Sequence, residues 1–149
     1  MELRSVEELM DLLYACRGVS DAPDGGVVGV DLHDHALQTA ALLRRSRPAD
    51  KELQLTGLVH PIGRLLCPTD AGVRPERAAD AVRPLLGARV SRLIGLHPWH
   101  EAPADDDLFS LRQADEDGRV AGFDAGVLED WRTVLELVAA RNSRLGAVD

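Results

Sequence analysis

The chain has 149 residues, 45% of them hydrophobic and 28% charged, with 17 basic against 25 acidic side chains and a net charge of −8. That is the size of one domain with a real core, and it is too apolar for a disordered chain. The acidic balance lacks the positive field that displaces counterions from nucleic acid, no apolar run approaches the roughly 18 residues that cross a bilayer, and no basic-then-apolar leader opens the sequence, so a soluble cytoplasmic protein is expected, without nucleic-acid or membrane partners.

The pattern is helical nearly throughout, and only the run over 26–30 (GVVGV) reads as β-like. Ser5 with Glu8 forms a capping box that opens an apolar series at Val6, Leu9, Met10, Leu13 and Tyr14, closed before Gly18. A loop rich in Asp, Gly and Pro follows over 20–29. The next helix is expected over 31–45, where Leu32, His35, Ala36, Thr39, Leu42 and Leu43 share one broad face. Asp50 is placed to cap a third helix that carries Leu53, Leu55, Leu58 and Val59. Pro61 should end or kink it, because the ring removes a donor and clashes with the preceding turn. Residues 67–73 read as a loop, 74–86 as a helix stopped by Gly87, and 88–97 as a short helix closed by Pro98. An acidic loop over 101–107 precedes the last two helices, 108–116 and 127–141. The expected fold is therefore all-α, a single-domain bundle of about seven helices spanning 1–149. In the last helix, Leu128, Trp131, Leu135 and Val138 form a stripe that reads as core packing, which leaves monomer and homodimer both open. Cys16 and Cys67 lie far apart with no CxxC and read as buried thiols in a reducing compartment.

Histidines dominate the candidate chemistry. His35 sits on the apolar face of its helix, a position where hydrogen-bonded core histidines outnumber ligands. His33 lies about 200° around that helix, so the pair cannot chelate one ion, and His33 reads as a surface residue. His60 ends an apolar helix just before Pro61, and His97 repeats the arrangement before Pro98. Such termini suit either a ligand or a capping imidazole. Asp115 follows Leu111 by four residues and so falls near the buried face of its helix, while Glu116 and Asp117 read as solvated.

The segments VDLHDHALQTAALL (30–43) and ADKELQLTGLVHPIGRLL (49–66), with PLLGARVSRLIGLH (84–97) and the Asp115 helix behind them, resemble the HD-domain superfamily. The likeness is greatest to its branch of mixed-valence di-iron oxygenases, which cleave organophosphonates or inositol. The resemblance implies an all-α scaffold around one or two metal ions and either oxygenase or phosphohydrolase chemistry. Matched position by position, His35 and His60 are the early metal-binding histidines, Asp115 is the closing carboxylate on the same metal, and His97 is a later histidine serving the second metal.

The chain departs from that family's pattern at several positions. Pro61 replaces the Asp that bridges the two metals. Arg64 stands where the oxygenase branch has a His near substrate, and Arg74 or Pro75 stands where another His is expected. Glu101 replaces a Lys, and Gly25 and Val28 replace the Tyr and Glu that close over substrate. Without a bridging anion two dications repel, so a binuclear centre is not expected. What remains is a mononuclear set of two imidazoles and one carboxylate from His35, His60 and Asp115, suited to Fe(II) or Mn(II) first and also to Zn or Ni. His97 and Arg64 become the expected catalytic side chains, with Arg64 and Arg74 holding a small, anionic substrate. The alternative is metal-free: arginines replacing histidines would repel a cation, leaving a lyase, a cyclase or a non-catalytic ligand-binding protein. The loops over 20–29 and 101–107 are expected to rim the pocket.

Overall fold

A computed structural model describes residues 1–20, 30–102, 105–120 and 123–148. Eight α-helices run through them: α1 (Val6–Tyr14), α2 (Leu32–Ser46), α3 (Lys51–Val59), the single turn α4 (Gly63–Leu66), α5 (Arg74–Leu86), α6 (Ala88–Gly95), α7 (Asp106–Asp117) and α8 (Arg132–Val148). Seven of them exceed two turns, and no strand is present among the described residues, so the chain is an all-α bundle. Among the described residues no helix is long and apolar enough to cross a membrane.

Local chemistry sets most boundaries. Ser5, Asp31, Asp50 and Asp105 cap α1, α2, α3 and α7 with side-chain oxygens that accept backbone N–H bonds. Pro61 ends α3 at Val59 and turns the chain into a 3-10 segment, His60–Ile62. Gly87 stops α5 with a φ of 98°, a conformation that side chains disfavour. Elsewhere the ends move. The helix expected over 88–97 stops at Gly95, and Leu96 and His97 close its last turn through backbone bonds to Leu93 and Ile94. The 127–141 helix divides into a 3-10 turn, Leu128–Trp131, and the longer α8. The acidic stretch 101–107 is partly structured: Glu101 ends a 3-10 turn, Trp99–Glu101, and Asp106 opens α7, while 103–104 lie outside the described residues. Within 67–73, Ala71–Val73 is also a 3-10 turn. Of the β-like run over 26–30 only Val30 is described, beside one isolated antiparallel bridge between Ser20 and Asp31.

Two apolar clusters hold the helices. The larger joins α1, α5 and α8 to one side of α2 and α3, with Leu9, Leu13, Leu58, Val82 and Leu135 buried in it. The C-terminal stripe of Leu128, Trp131, Leu135 and Val138 belongs to this core. The smaller cluster, Leu43, Leu53, Leu93, Trp99, Leu108, Leu111 and Ala114, ties α2, α3, α6 and α7 together. Gly57 permits the α2–α3 approach, since a Cβ there would collide with Leu43 Cδ1 and lie 3.0 Å from Thr39 Cγ2. In this unit α2 runs one way and α3, α6 and α7 the other. The N-terminal end of α2 therefore meets the C-terminal ends of its three partners.

Cys16 is buried, and burial, reinforced by the negative charge of Asp31, pushes its thiol up to about 12. Cys67 is only half-buried. His33 corrects the surface reading. It is 5% exposed, its Nδ1 lies 3.1 Å from the Leu13 carbonyl, and its ring stacks on Tyr14. Tyr14, expected on the inner face of α1, is 38% exposed and covers that imidazole instead.

Candidate metal centre

Four residues from four elements meet where those helix ends converge. His35 enters from the first turn of α2, His60 from the residue after α3, His97 from the residues after α6, and Asp115 from the last turn of α7. Each histidine points Nε2 at one carboxylate. Asp115 Oδ1 lies 2.8 Å from His35 Nε2 and 3.3 Å from His60 Nε2, and Asp115 Oδ2 lies 3.2 Å from His97 Nε2. The rings of His35 and His60 meet edge to face, and Trp99 packs against both His60 and His97. Trp99 is itself fixed by its indole N–H, which donates to the Leu93 carbonyl at 2.9 Å.

The opposite ring nitrogens decide the protonation pattern. His35 Nδ1 lies 2.6 Å from the Gly118 carbonyl and His60 Nδ1 lies 2.7 Å from the Gly57 carbonyl. A carbonyl only accepts, so each Nδ1 carries the proton and donates it. In a neutral imidazole the Nε2 is then a bare lone pair. Burial, partly opposed by Asp115, pushes His60 down to about 4, so this ring is neutral near pH 7. Burial by itself would raise the Asp115 carboxyl, but the three imidazoles that face it outweigh burial and hold the group far below the usual carboxylate range. Near neutral pH a nitrogen lone pair on His60 thus faces a carboxylate oxygen. Such a pair repels unless a cation lies between them.

A divalent metal ion fits that requirement. His35, His60 and Asp115 offer ligand atoms all within 4.8 Å of one another and form a group that could hold an ion. Metal bonds of about 2.1 Å place neighbouring ligand atoms roughly 3.0–3.4 Å apart, which is close to the two separations at Asp115 Oδ1. Ligating histidines characteristically donate the other ring N–H to a carbonyl or carboxylate, as His35 and His60 do here. Pro61 is buried in the wall and contributes no ligand, leaving no second carboxylate at the position expected to bridge two ions.

The surroundings are built to hold His35. Gln38 clasps Val120 from both sides: its Nε2 donates to the Val120 carbonyl at 2.8 Å and its Oε1 accepts from the Val120 N–H at 3.1 Å. That clasp fixes the turn after α7, where Gly118 receives His35. A Cβ on Gly118 would lie 2.8 Å from Thr39 Oγ1 and 2.9 Å from the Ala114 carbonyl, so only glycine lets this turn close on α2.

A cavity of about 300 Å³ opens beside the cluster, lined by His35, His60 and His97 together with Arg64, Arg74 and Arg119. Arg64 and Arg74, singled out in the sequence, both reach it. Arg74 also donates from Nε to the Cys67 carbonyl at 2.8 Å and from one terminal nitrogen to the Pro68 carbonyl at 2.9 Å, which anchors its guanidinium. Arg119 is the residue that sequence reasoning missed: its guanidinium lies 3.3 Å from Asp115 Oδ1. The i,i+4 spacing from Asp115 was the available signal. Gly25 and Val28 lie outside the described residues.

No family model matches the chain, and no curated protein matches it.

Proposed function

We propose that the chain is an HD-like metalloenzyme that acts on a small anionic metabolite through one divalent ion held by His35, His60 and Asp115. One observation carries this reading: two buried imidazoles with their Nδ1 protons committed to carbonyls aim their Nε2 atoms at a single carboxylate. Fe(II) and Mn(II) are the favoured ions, because a two-His, one-carboxylate set leaves coordination positions open. When bound, the ion supplies Lewis acidity, polarising a substrate oxygen and making adjacent water more acidic. The chemistry is then of the oxygenase or the hydrolase/lyase type, in keeping with the HD-like sequence pattern.

The chain's own side chains divide the remaining work. His97 is less enclosed than the other two histidines, with 31% of its side chain exposed, and it borders the cavity. It takes the acid–base role, holding or giving up a proton at Nε2 towards the substrate. Arg64, Arg74 and Arg119 line the same cavity, and their positive charge favours and orients an anionic group of the substrate. Trp99 closes the side of the site behind His60 and His97 against water.

A second reading has its own observation. Arg119 beside Asp115 already places a cation next to the carboxylate, which suits a metal-free lyase or a ligand-binding protein. Loading the purified protein anaerobically with Fe(II) or Mn(II), desalting it and measuring bound metal separates the two. About one ion per chain is expected for a mononuclear site. Uptake below about a tenth of an equivalent overturns the metalloenzyme and leaves the metal-free reading.

A further inference from the structure

The surface behind the metal centre, on the outer faces of α2 and α7, carries an apolar groove that the proposed chemistry does not use. The chain has only two phenylalanines, and both lie on this groove, Phe109 at 63% and Phe123 at 55% exposure. Val120, 54% exposed, lies beside Phe123. Two adjoining depressions of about 270 and 210 Å³ make up the groove, one bordered by Phe109 and the other by Phe123. Three residues line both depressions and so mark the middle: Leu42, Arg45 and Asp117. Neither Arg45 nor Asp117 forms a side-chain ion pair or hydrogen bond with any described residue.

We propose that this groove is the interface of a two-fold symmetric homodimer. A two-fold interface presents one patch to itself, so the patch must be self-complementary in charge as well as shape. A groove with one unpaired cation and one unpaired anion at its centre meets that condition. Rotation about an axis passing between them sets Arg45 of each copy against Asp117 of the other. The same rotation brings the Phe109 end of one copy onto the Phe123 end of the other, so each exposed ring covers an apolar depression rather than water. The inference does not depend on a metal, since none of the groove residues is a candidate ligand.

Analytical ultracentrifugation of the full chain across a concentration series reads this out. The unaltered protein is expected to dimerise at micromolar concentrations. Phe109→Ser with Phe123→Ser should leave a monomer of native helicity. Arg45→Asp alone and Asp117→Arg alone each place like charges against each other and should weaken the homodimer at least ~tenfold. Mixed in equal amounts, those two single variants should form a heterodimer. The acid introduced at position 45 of one copy then faces the base introduced at position 117 of the other, and the native pairing of Arg45 with Asp117 is kept at the symmetry-related contact. Any of three results overturns the proposal: a monomer throughout the series, a dimer indifferent to the phenylalanine changes, or a mixture that fails to pair. Stoichiometric binding of some other polypeptide to a monomeric chain would assign the groove to that partner instead.

Discussion

The four helices α2, α3, α6 and α7 carry a charged cluster at each end, and the two clusters are built from opposite kinds of base. At one end Arg47 and Arg89 meet Asp50 and Asp107: Arg89 bonds both oxygens of Asp50 at 2.8 Å and reaches Asp107 at 3.0 Å, and Arg47 reaches Asp107 at 2.5 Å. At the other end His35, His60 and His97 surround Asp115. A guanidinium is always protonated, so the arginine end is complete in itself, with donors matched to acceptors. A neutral imidazole whose Nδ1 proton is already committed, as His60 is near pH 7, brings a lone pair, so the histidine end could hold a cation that the arginine end has no place for. Similar helix ends and similar acids thus yield an ionic clamp in one place and a candidate metal centre in the other.

The largest effect expected is at the carboxylate that all three histidines share. Asp115→Ala removes the anionic ligand and should lower metal affinity by at least about 100-fold, more than loss of an outer partner would. Arg89→Ala at the opposite end should leave uptake unchanged. Calorimetric titration with Mn(II), beside far-UV circular dichroism to confirm native helicity, makes the comparison. Equal affinity in the Asp115 variant and the unaltered protein would remove the ion from this site.

Acid should also separate the two ends. Burial holds His60 neutral down to about 4, against 6.5 when unfolded. The unfolded chain therefore binds the extra proton first. The stability that a neutral His60 confers is complete above 6.5 and is lost as pH falls towards 4. In metal-free protein the loss is at most about 3 kcal/mol, since each tenfold difference in proton affinity between the folded and unfolded chain is worth about 1.4 kcal/mol. Asp50 and Asp107 are held below their ordinary value mainly by hydrogen bonds from Arg89 and Arg47 respectively, so their contribution disappears only at more acidic pH, below 3.8. Urea denaturation at a series of pH values should show a slope between pH 6.5 and 4 that His60→Gln flattens and Arg89→Ala does not.

Behind the first ring of residues, Gln38→Ala should weaken metal binding by about tenfold, the scale of an outer partner that orients a ligand. Its two bonds to Val120 hold the turn that presents Gly118 to His35. The test is affinity measured against thermal stability. Unchanged metal affinity in a variant of unchanged stability would mean that His35 is oriented without the clasp.

What the sequence made legible follows the range of the forces involved. Capping oxygens at Ser5 and Asp50, the break at Pro61 and the stop at Gly87 act within a few residues, and the structure has each where the pattern put it. The grouping of His35, His60 and Asp115 came from a family resemblance and not from periodicity, which places His35 on a face but says nothing of what lies across from it. His33 was misread because its burial depends on the Leu13 carbonyl and the Tyr14 ring, contacts from a different helix. Arg119 was missed because it lies beyond the end of α7, where the helical pattern no longer assigns a face. The arginine clamp joins residues up to 60 positions apart, as in Arg47 with Asp107, and no local pattern announces such a pairing.

That clamp gives the smallest expected effect and the cleanest control. Arg89→Ala leaves Asp50, Glu52 and Asp107 short of a shared donor, yet all of these groups keep partial access to water. Arg47 still pairs with Asp107 at 2.5 Å, and Asp50 still accepts the Leu53 N–H at 3.1 Å to cap α3. Water and the remaining donors absorb most of the loss, so the variant should lose only about 1 kcal/mol. That loss should shrink in high salt, because screening weakens the clamp in the unaltered protein first. Denaturant midpoints at low and high ionic strength measure both. A loss of several kcal/mol that ignores salt would mean that the arginine end carries the four-helix unit by packing its stem, not by charge.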